Sequence, residues 1–396
     1  MKILLVNHFP LMGSGSGVYV MNIAKNLEQK GHQVCIIMPE NTTQISNIHN
    51  VKIHPVFFKR EEIIENQLDF NFPCMDPHPR SNFLFNNMTK LQIKQYEIAF
   101  RTAIEEEIKE FKPDVIHAQH IWIISGLLND YHIPYIITSH GAEFITYKRT
   151  DTFDCYGKSA VEGCKKIIAI SNDNINEIID KFPEARDKIT FVKNGYNSQD
   201  FFIEDLDKED VLSRFSIDGQ FERIVLFVGR ISKMKGLDVL FKAANLYETE
   251  KTLTLIVGDG EYRKELNECK EKLKLKNIVF LGSRGHKDLR LLYNISDVLV
   301  LPSRKEALPL VAIEALACGT PAVVTNQSGM ADIITKEVGL LFNLDDEKML
   351  AEKIKLILDK KVIFEKKKIA DYAKSNYSQE ILMDNLLKIY EEIRRK

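Results

Sequence analysis

Short runs of apolar and β-branched residues alternate with helix-length segments from one end of this 396-residue chain to the other. Examples are Ile3–Val6 in the first half and Ile224–Val228 and Val298–Leu301 in the second. These runs are continuously apolar, which is typical of strands buried on both faces of a parallel sheet. Strands separated by helices indicate βαβ units. Because each half shows the pattern independently, the sequence predicts an α/β fold with two Rossmann-like domains.

The composition excludes several classes of protein. Hydrophobic residues make up 44% and charged residues 28%, which indicates a folded globular chain, and the formal net charge of −2 disfavours a nucleic-acid partner. The six cysteines include no C-x-x-C pair and predict free thiols in a reducing cytoplasm. No stretch approaches about eighteen consecutive apolar residues, so we expect no transmembrane segment. Peripheral attachment at the inner membrane face stays open.

We expect the domain boundary near the turn at Asn194-Gly195. The predicted first domain comprises residues 1–198 and is joined by a C-terminal helix at 378–396, and the second domain comprises 199–377. Ligands of parallel α/β sheets bind outside the carboxyl ends of the strands. Two such domains facing each other would place both of these edges on one cleft.

The most specific motif lies at residues 302–321, where a predicted strand leads into a helix. Leu310 and Val311 begin this helix, whose free N–H groups and positive dipole end favour an anion. Glu306 precedes the helix, and Glu314 lies more than one turn further along it. An anion between two acceptors for hydroxyl groups suits a sugar nucleotide. A capped helix with a solvated glutamate is the alternative for either carboxylate alone.

In each domain, a glycine-containing turn follows the first predicted strand. Gly229–Gly236 carries Arg230 and Lys235, which can converge on one diphosphate, although solvated cations are the alternative. In the first domain, Gly15 and Gly17 would allow the backbone to approach a phosphate or sugar closely. That loop lacks the full dinucleotide-binding fingerprint, which disfavours a dehydrogenase.

Three further features of the first half are candidates for function. His140 ends a predicted strand and is followed by glycine, a position that faces ligands in α/β folds, whereas a lone histidine is more often structural. His120 ends the preceding strand, and no third ligand accompanies it and His117, so we expect no metal. The proline- and phenylalanine-rich segment 59–87 is either a functional loop or a surface excursion that packs its own aromatic rings.

Taken together, these motifs resemble those of the retaining glycosyltransferases of family 4, which have the GT-B fold. Glu306 and Glu314 match the E-x7-E pair of that family, and the turn with Arg230 and Lys235 matches its diphosphate-binding turn. The resemblance extends over nearly the whole chain and includes Gly258-Asp259-Gly260-Glu261, Ser139-His140-Gly141 and Asn194-Gly195.

The resemblance implies a role for each matching residue. Arg230 and Lys235 would hold the pyrophosphate, with Leu310 and Val311 at the helix start also binding the donor. Glu314 would accept hydrogen bonds from the ribose hydroxyls, and Glu306 would contact the donor sugar. His140 would line the reaction centre. Gly15 and Gly17 would close over the donor.

The resemblance also implies a reaction that retains the anomeric configuration without a metal. The expected donor is a nucleotide-diphosphate sugar, with a UDP-sugar ahead of a GDP- or ADP-sugar, and the transferred group is a hexosyl group, N-acetylglucosaminyl included. The acceptor can be a small molecule, a lipid-linked sugar or a glycan, with hypothetical contacts at His120, Tyr147 and Lys148. Because Ala142 and Glu143 depart from the family pattern of Thr and Asp, the identity of the acceptor cannot be inferred from that of a relative. A sugar-nucleotide epimerase and a non-catalytic sugar-nucleotide-binding protein are the alternatives.

Overall fold

The apolar runs of the sequence form the strands of two separate parallel sheets, one in each of two compact units. Unit 1 is Met1–Val192 together with Met383–Lys396, and unit 2 is Lys193–Leu382. The predicted α/β fold with two Rossmann-like domains is therefore confirmed. The computed structural model describes residues 1–42, 45, 47–59, 67–192, 195–304, 306, 309–327 and 329–395.

Unit 1 contains a seven-stranded sheet, all of whose strand pairs are parallel. Its strands are β1 (Lys2–Val6), β2 (Gln33–Glu40), β3 (Val51–Phe57), β4 (Val115–Gln119), β5 (Tyr135–Ser139), β6 (Lys166–Ala169) and β7 (Ile189–Phe191). Their order is β3-β2-β1-β4-β5-β6-β7, so the direction of winding reverses between β1 and β4. Its helices are α1 (Gly15–Gln29), α2 (Lys90–Glu110), α3 (Ile123–Leu127), α4 (Ala142–Tyr147), α5 (Asp154–Gly163) and α6 (Asn172–Lys181).

Unit 2 contains a six-stranded parallel sheet. Its strands are β8 (Arg223–Val228), β9 (Thr252–Val257), β10 (Ile278–Gly282), β11 (Val298–Leu301), β12 (Ala322–Thr325) and β13 (Gly339–Phe342). Their order is β10-β9-β8-β11-β12-β13, which places the reversal between β8 and β11. Its helices are α7 (Lys208–Arg214), α8 (Leu237–Tyr247), α9 (Arg263–Leu273), α10 (His286–Ile295), α11 (Leu310–Ala317), α12 (Glu347–Leu358) and α13 (Lys366–Tyr377).

Local sequence signals explain where several helices begin. The Ser14 side chain caps α1 by accepting a hydrogen bond from the Gly17 N–H at 3.0 Å. Thr89 and Gln92 form a reciprocal capping box at the start of α2. Among the helices of the described ranges, none is long and apolar enough to cross a membrane.

The C-terminal helix α14 (Gln379–Arg394) returns the chain to unit 1. The Tyr196 N–H donates to the Tyr377 carbonyl and the Gln379 N–H donates to the Tyr196 carbonyl, so these segments belong to unit 2. The units consequently divide after Val192 and after Leu382, whereas the sequence predicted divisions after residues 198 and 377.

Residues 67–87 form part of the core of unit 1. Phe70, Phe72 and Phe85 are buried, and Phe83 packs against the same cluster. These rings pack into the core of unit 1, whereas the structural alternative expected a surface excursion whose aromatic rings pack against one another. Residues 60–66 lie outside the described residues, and the acceptor-binding role of the 59–87 segment stays a prediction.

We expect Tyr390→Phe to lower the free energy of unfolding of unit 1. The Tyr390 hydroxyl and His117 Nδ1 are hydrogen-bonded at 2.7 Å, and both residues are fully buried. Removing the hydroxyl leaves a buried nitrogen without a partner, which costs about 1–3 kcal/mol. Urea unfolding followed by tyrosine and tryptophan fluorescence measures the change.

Tyr131→Phe is the matched control for this prediction. The Tyr131 hydroxyl bonds to Glu105 at an exposed position, where water can replace it, so we expect a smaller loss. Equal losses of unfolding free energy in the two variants would contradict the prediction that the buried His117–Tyr390 hydrogen bond contributes more than an exposed one.

Candidate active site

The predicted donor residues of unit 2 lie on turns at the carboxyl edge of its sheet. Arg230 and Lys235 follow β8, and Glu306 follows β11. Since β8 and β11 are hydrogen-bonded neighbours at the point where the winding reverses, both turns border the crevice at which α/β folds bind ligands. The fold therefore brings together residues that are far apart in the sequence.

Glycines allow these turns to pack backbone against backbone. Gly236 has a φ of +66°, and a Cβ atom there would lie 1.9 Å from the Pro302 carbonyl oxygen. Gly258, after β9, has a φ of +131°, and its Cβ would lie 1.9 Å from the Gly229 carbonyl oxygen. Any other residue at either position would force the turns apart.

Lys235 and Glu306 form an ion pair between the two turns. Their side chains are 26% and 16% exposed, so the pair is partly withdrawn from solvent without being sealed from it. Ser303 donates a hydrogen bond to the same Glu306 carboxylate at 3.1 Å. A group bound by Lys235 would therefore lie directly beside the Glu306 carboxylate.

Arg230 is placed differently from Lys235. Its guanidinium pairs with Glu261 at 3.2 Å, and both side chains are largely exposed, at 70% and 62%. An exposed ion pair of this kind contributes little stability, so the guanidinium is free to exchange its partner for a ligand. The structure gives Arg230 and Lys235 separate carboxylate partners.

Helix α11 contributes the remaining predicted donor residues. Leu310 and Val311 occupy its first turn, and no side chain caps its N-terminus. Glu314 is half-buried one turn further on, where it accepts a hydrogen bond from the Tyr293 hydroxyl at 3.0 Å. Burial raises the pKa of Glu314, and the hydrogen bond from Tyr293 opposes this rise.

Arg304 is a site residue to which the sequence analysis assigned no role. Its guanidinium donates to Asp238 at 2.9 and 3.1 Å and pairs with Asp345 at 2.7 Å, and these carboxylates, Asp238 first, raise its pKa. It also donates to the Lys233 carbonyl, and its own N–H donates to the Met234 carbonyl. Arg304 thus ties the turn after β11 to the turn after β8. The two partner carboxylates come from distant segments, so no local pattern could have identified this role.

The two predicted glycines of unit 1 have different surroundings. A Cβ atom on Gly17 would lie 2.2 Å from the Pro10 carbonyl oxygen, so this glycine is required by packing within the unit. Gly15 is exposed, and a Cβ atom there would meet nothing within 4 Å. Of the two residues, only Gly15 leaves room for an approaching ligand.

His140 follows β5 and is held by its neighbour on β4. Its Nε2 lies 2.9 Å from Gln119 Oε1, so the ring donates through Nε2 and Nδ1 remains an acceptor. Burial lowers the pKa of His140 to about 3, with a further decrease from His120 and an opposing contribution from Glu143. At neutral pH His140 is therefore an uncharged hydrogen-bonding group.

His120 is bound to a fully buried glutamate. Its Nδ1 lies 3.0 Å from Glu143, which also accepts a hydrogen bond from the Ser139 hydroxyl at 2.7 Å. Burial by itself would raise the pKa of Glu143, but His120 and Ser139 outweigh it and lower this pKa to about 2. Glu143, which stands where the family pattern has Asp, thus supplies a buried carboxylate that joins the turns after β4 and β5.

The other two predicted acceptor contacts differ in exposure. Tyr147 is buried, and its hydroxyl donates to the Ile121 carbonyl at 2.9 Å, so its side chain is part of the core packing. Lys148 is 67% exposed and pairs with Glu177 at 3.0 Å. Acceptor binding by His120, Tyr147 and Lys148 stays a prediction.

Some quoted motif residues lie outside the described residues, namely Asn194, Lys305, Ala307 and Leu308. Within the part of the chain that the structure describes, no group of three or more His, Cys, Asp or Glu side chains could hold a metal ion.

Each half of the chain matches a known family of glycosyltransferases. The family "Glycosyl transferases group 1" matches residues 214–376, and "Glycosyltransferase Family 4" matches residues 13–200. The chain belongs to the family 4 glycosyltransferases. It is accordingly an enzyme of the hexosyltransferase type.

Two curated relatives illustrate the range of this family. An uncharacterized glycosyltransferase of Methanocaldococcus jannaschii is 28% identical over 354 residues, which cover 85% of this chain and 84% of the relative. The N-acetyl-alpha-D-glucosaminyl L-malate synthase of Bacillus anthracis is 22% identical, over 97% of this chain and 94% of the relative. The alignment with each of these relatives extends over both units of this chain.

Solved structures confirm the GT-B fold. Sucrose-phosphate synthase from Thermosynechococcus elongatus matches with a TM-score of 0.76 at 19% identity, over 99% of this chain and 98% of that chain. Alr3699/HepE from Anabaena, solved in complex with UDP-glucose, matches with a TM-score of 0.73 at 16% identity, over 99% and 100% of the two chains.

We expect the His140 ring of this glycosyltransferase to stay neutral as the pH falls through 6.5, the ordinary pKa of histidine. Its folded-state pKa of about 3 means that the unfolded chain binds the proton more readily. This residue therefore makes the free energy of unfolding decrease as the pH falls from 6.5 towards 3. Proton–carbon NMR of the histidine Cε1 signals, assigned with a His140→Gln variant, measures the titration. A His140 midpoint near 6.5 would contradict the assignment of a neutral ring.

Proposed function

We propose that the chain is a retaining hexosyltransferase that uses a nucleotide-diphosphate sugar, with UDP as the expected nucleotide and no metal requirement. The UDP-glucose bound to Alr3699/HepE supports a UDP-linked donor. The name of the Bacillus anthracis relative supports an N-acetylglucosaminyl group as one candidate for the transferred sugar. The retaining course of the reaction rests on the resemblance to family 4.

The observation that carries this proposal is the contact between Lys235 and Glu306 at the β8–β11 switch point. A transferase needs a cation at the leaving diphosphate and an acceptor for the hydroxyl groups of the sugar attached to it. Because the two side chains touch, one bound sugar diphosphate can contact both. Glu314, in the second turn of α11, would accept hydrogen bonds from the hydroxyls of the nucleoside on the other side of the diphosphate.

The reaction transfers the sugar from phosphate to an acceptor hydroxyl. The bond between the anomeric carbon and the diphosphate oxygen breaks, while the acceptor oxygen bonds to the same face of that carbon. The departing phosphate takes the proton of the acceptor hydroxyl. Negative charge grows on the diphosphate, so Lys235, Arg230 and the N–H groups at the start of α11 stabilise the transition state more than the ground state.

Unit 1 would supply uncharged polar groups to this reaction. His140 would present Nδ1 as an acceptor, and the space around the exposed Gly15 would leave room for the donor. The acceptor can be a small molecule, a lipid-linked sugar or a glycan, and Lys148 is the proposed contact that lies at the surface. The six free cysteines support a location in a reducing cytoplasm.

We expect Lys235→Ala to lower kcat by roughly 10²–10³-fold, which is the usual scale for losing one group that stabilises transition-state charge. Steady-state kinetics with a saturating sugar nucleotide measures the effect. Arg230→Ala should lower kcat on the same scale.

Lys233→Ala is the matched control for Lys235→Ala. It removes an exposed lysine from the same turn, and only its backbone carbonyl contacts Arg304. Turnover by Lys233→Ala should be near normal. Near-normal turnover by Lys235→Ala as well would remove this residue from the mechanism.

The donor is tested first by thermal shift with UDP-, GDP- and ADP-sugars. We expect the UDP-sugar to stabilise the protein most, with a gain of about 2.7 kcal/mol at one hundred times the dissociation constant. Proton NMR of the product then gives its anomeric configuration, and the rate should be unchanged by EDTA. An inverted product would exclude the retaining reaction, and loss of activity in EDTA would exclude the metal-free one.

A further inference from the structure

The turn between α12 and α13, residues 359–365, exposes an isoleucine among lysines. Ile363 is 77% exposed, more than any other large hydrophobic side chain in the described residues. Lys360 and Lys361 precede it in the turn, and three more exposed lysines begin α13. We call this surface the basic turn, defined by Lys360, Lys361, Ile363, Lys366, Lys367 and Lys368.

The basic turn is an ordered structure that holds Ile363 outward. The Val362 N–H donates to the Leu356 carbonyl at 2.9 Å, and the Lys360 N–H donates to the Ile357 carbonyl at 3.0 Å. On either side of Ile363, Val362 and Phe364 are partly buried, and Phe364 packs against the core of unit 2. Because alternate residues are held inward, Ile363 is held in solvent.

Two acidic residues of this surface, Asp359 and Glu365, are paired with cations. Asp359 pairs with Arg223 at 3.2 Å, and Glu365 pairs with Lys368 at 2.7 Å. Lys366 donates to the Asn294 carbonyl, which leaves its charge uncompensated. Within the described residues, no ion pair involves Lys360, Lys361 or Lys367. The exposed Asp371, one turn along α13, also has no ion pair there, so it offsets one of the four uncompensated lysine charges. The surface is therefore positive on a chain whose net charge is −2.

A cavity of about 450 Å³ lies beside the basic turn, and Lys360 and Ile363 are among the residues that line it. Its walls are partly apolar, and lysine side chains also line it; the lining includes Leu206, Ile357, Val362, Phe364, Lys208 and Lys366. Asp297 and Pro321 also line it, and these residues immediately precede β11 and β12. The cavity thus lies at the amino edge of the unit 2 sheet, opposite the edge that carries Lys235 and Glu306.

We propose that the basic turn docks unit 2 on an anionic lipid surface, with Ile363 entering the interfacial layer and the lysines lying against the headgroups. Stable attachment to a membrane needs two signals, and this surface combines an apolar side chain with a cluster of cations. Each lysine near an anionic bilayer strengthens binding by about fivefold. The inference does not depend on the donor proposed above.

Vesicle sedimentation tests this inference with the whole chain. The parent protein should bind phosphatidylcholine vesicles that contain about one third phosphatidylglycerol, should not bind pure phosphatidylcholine vesicles, and should be released by salt. The triple variant Lys360→Gln/Lys361→Gln/Lys367→Gln should bind about 100-fold more weakly. Ile363→Ser should weaken binding in the same direction.

Matched variants in the same unit serve as controls. Lys264→Gln/Lys272→Gln/Lys276→Gln removes the same charge from exposed positions, and Leu246→Ser removes another exposed apolar side chain. These controls should bind as the parent does, and thermal melting should show that every variant is folded. Absence of binding by the parent, equal binding to neutral vesicles, or equal losses in the control triple variant would each overturn the inference.

Discussion

The candidate site depends on holding two turns from distant parts of the sequence in backbone contact. Arg304 achieves this with charge, because its guanidinium bridges Asp238 and Asp345 and donates to the carbonyl of Lys233. A partly buried guanidinium is stable only when carboxylates and carbonyls satisfy its donors. The hydrogen bonds and ion pairs of Arg304 therefore form together, and they hold the turn of Lys235 against the turn of Glu306.

The two units use charge in opposite ways. In unit 2, Arg230 lies at the surface with a single carboxylate partner and Lys235 is only partly withdrawn, so an anionic ligand can compete for both. In unit 1, the buried charge of Glu143 is enclosed by His120 and Ser139, and His140 is kept neutral by burial. In unit 1 the buried carboxylate therefore organises the turns after β4 and β5, and the exchangeable cations lie in unit 2.

Much of the fold could be predicted because it follows from local patterns. Continuous apolar runs mark buried parallel strands, and the helix after β11 was expected from the strand-to-helix motif at residues 302–321. The site was less predictable. Tyr147 was proposed as an acceptor contact, yet its hydroxyl is bonded to a backbone carbonyl in the core, and Arg304 received no role. In each case the partner lies on an element that is distant in the sequence.

The sequence by itself determined the α/β class, the two domains and the turns that carry Arg230, Lys235, Glu306 and His140, because hydrophobic periodicity and glycine placement act over a few residues. Only the tertiary structure decided which charges meet. The order of the strands in each sheet sets which turns become neighbours, and this order depends on packing between helices and sheets across many residues. For that reason the pairing of Lys235 with Glu306, the packing role of Gly17 and the outward position of Ile363 could be identified only in the folded chain.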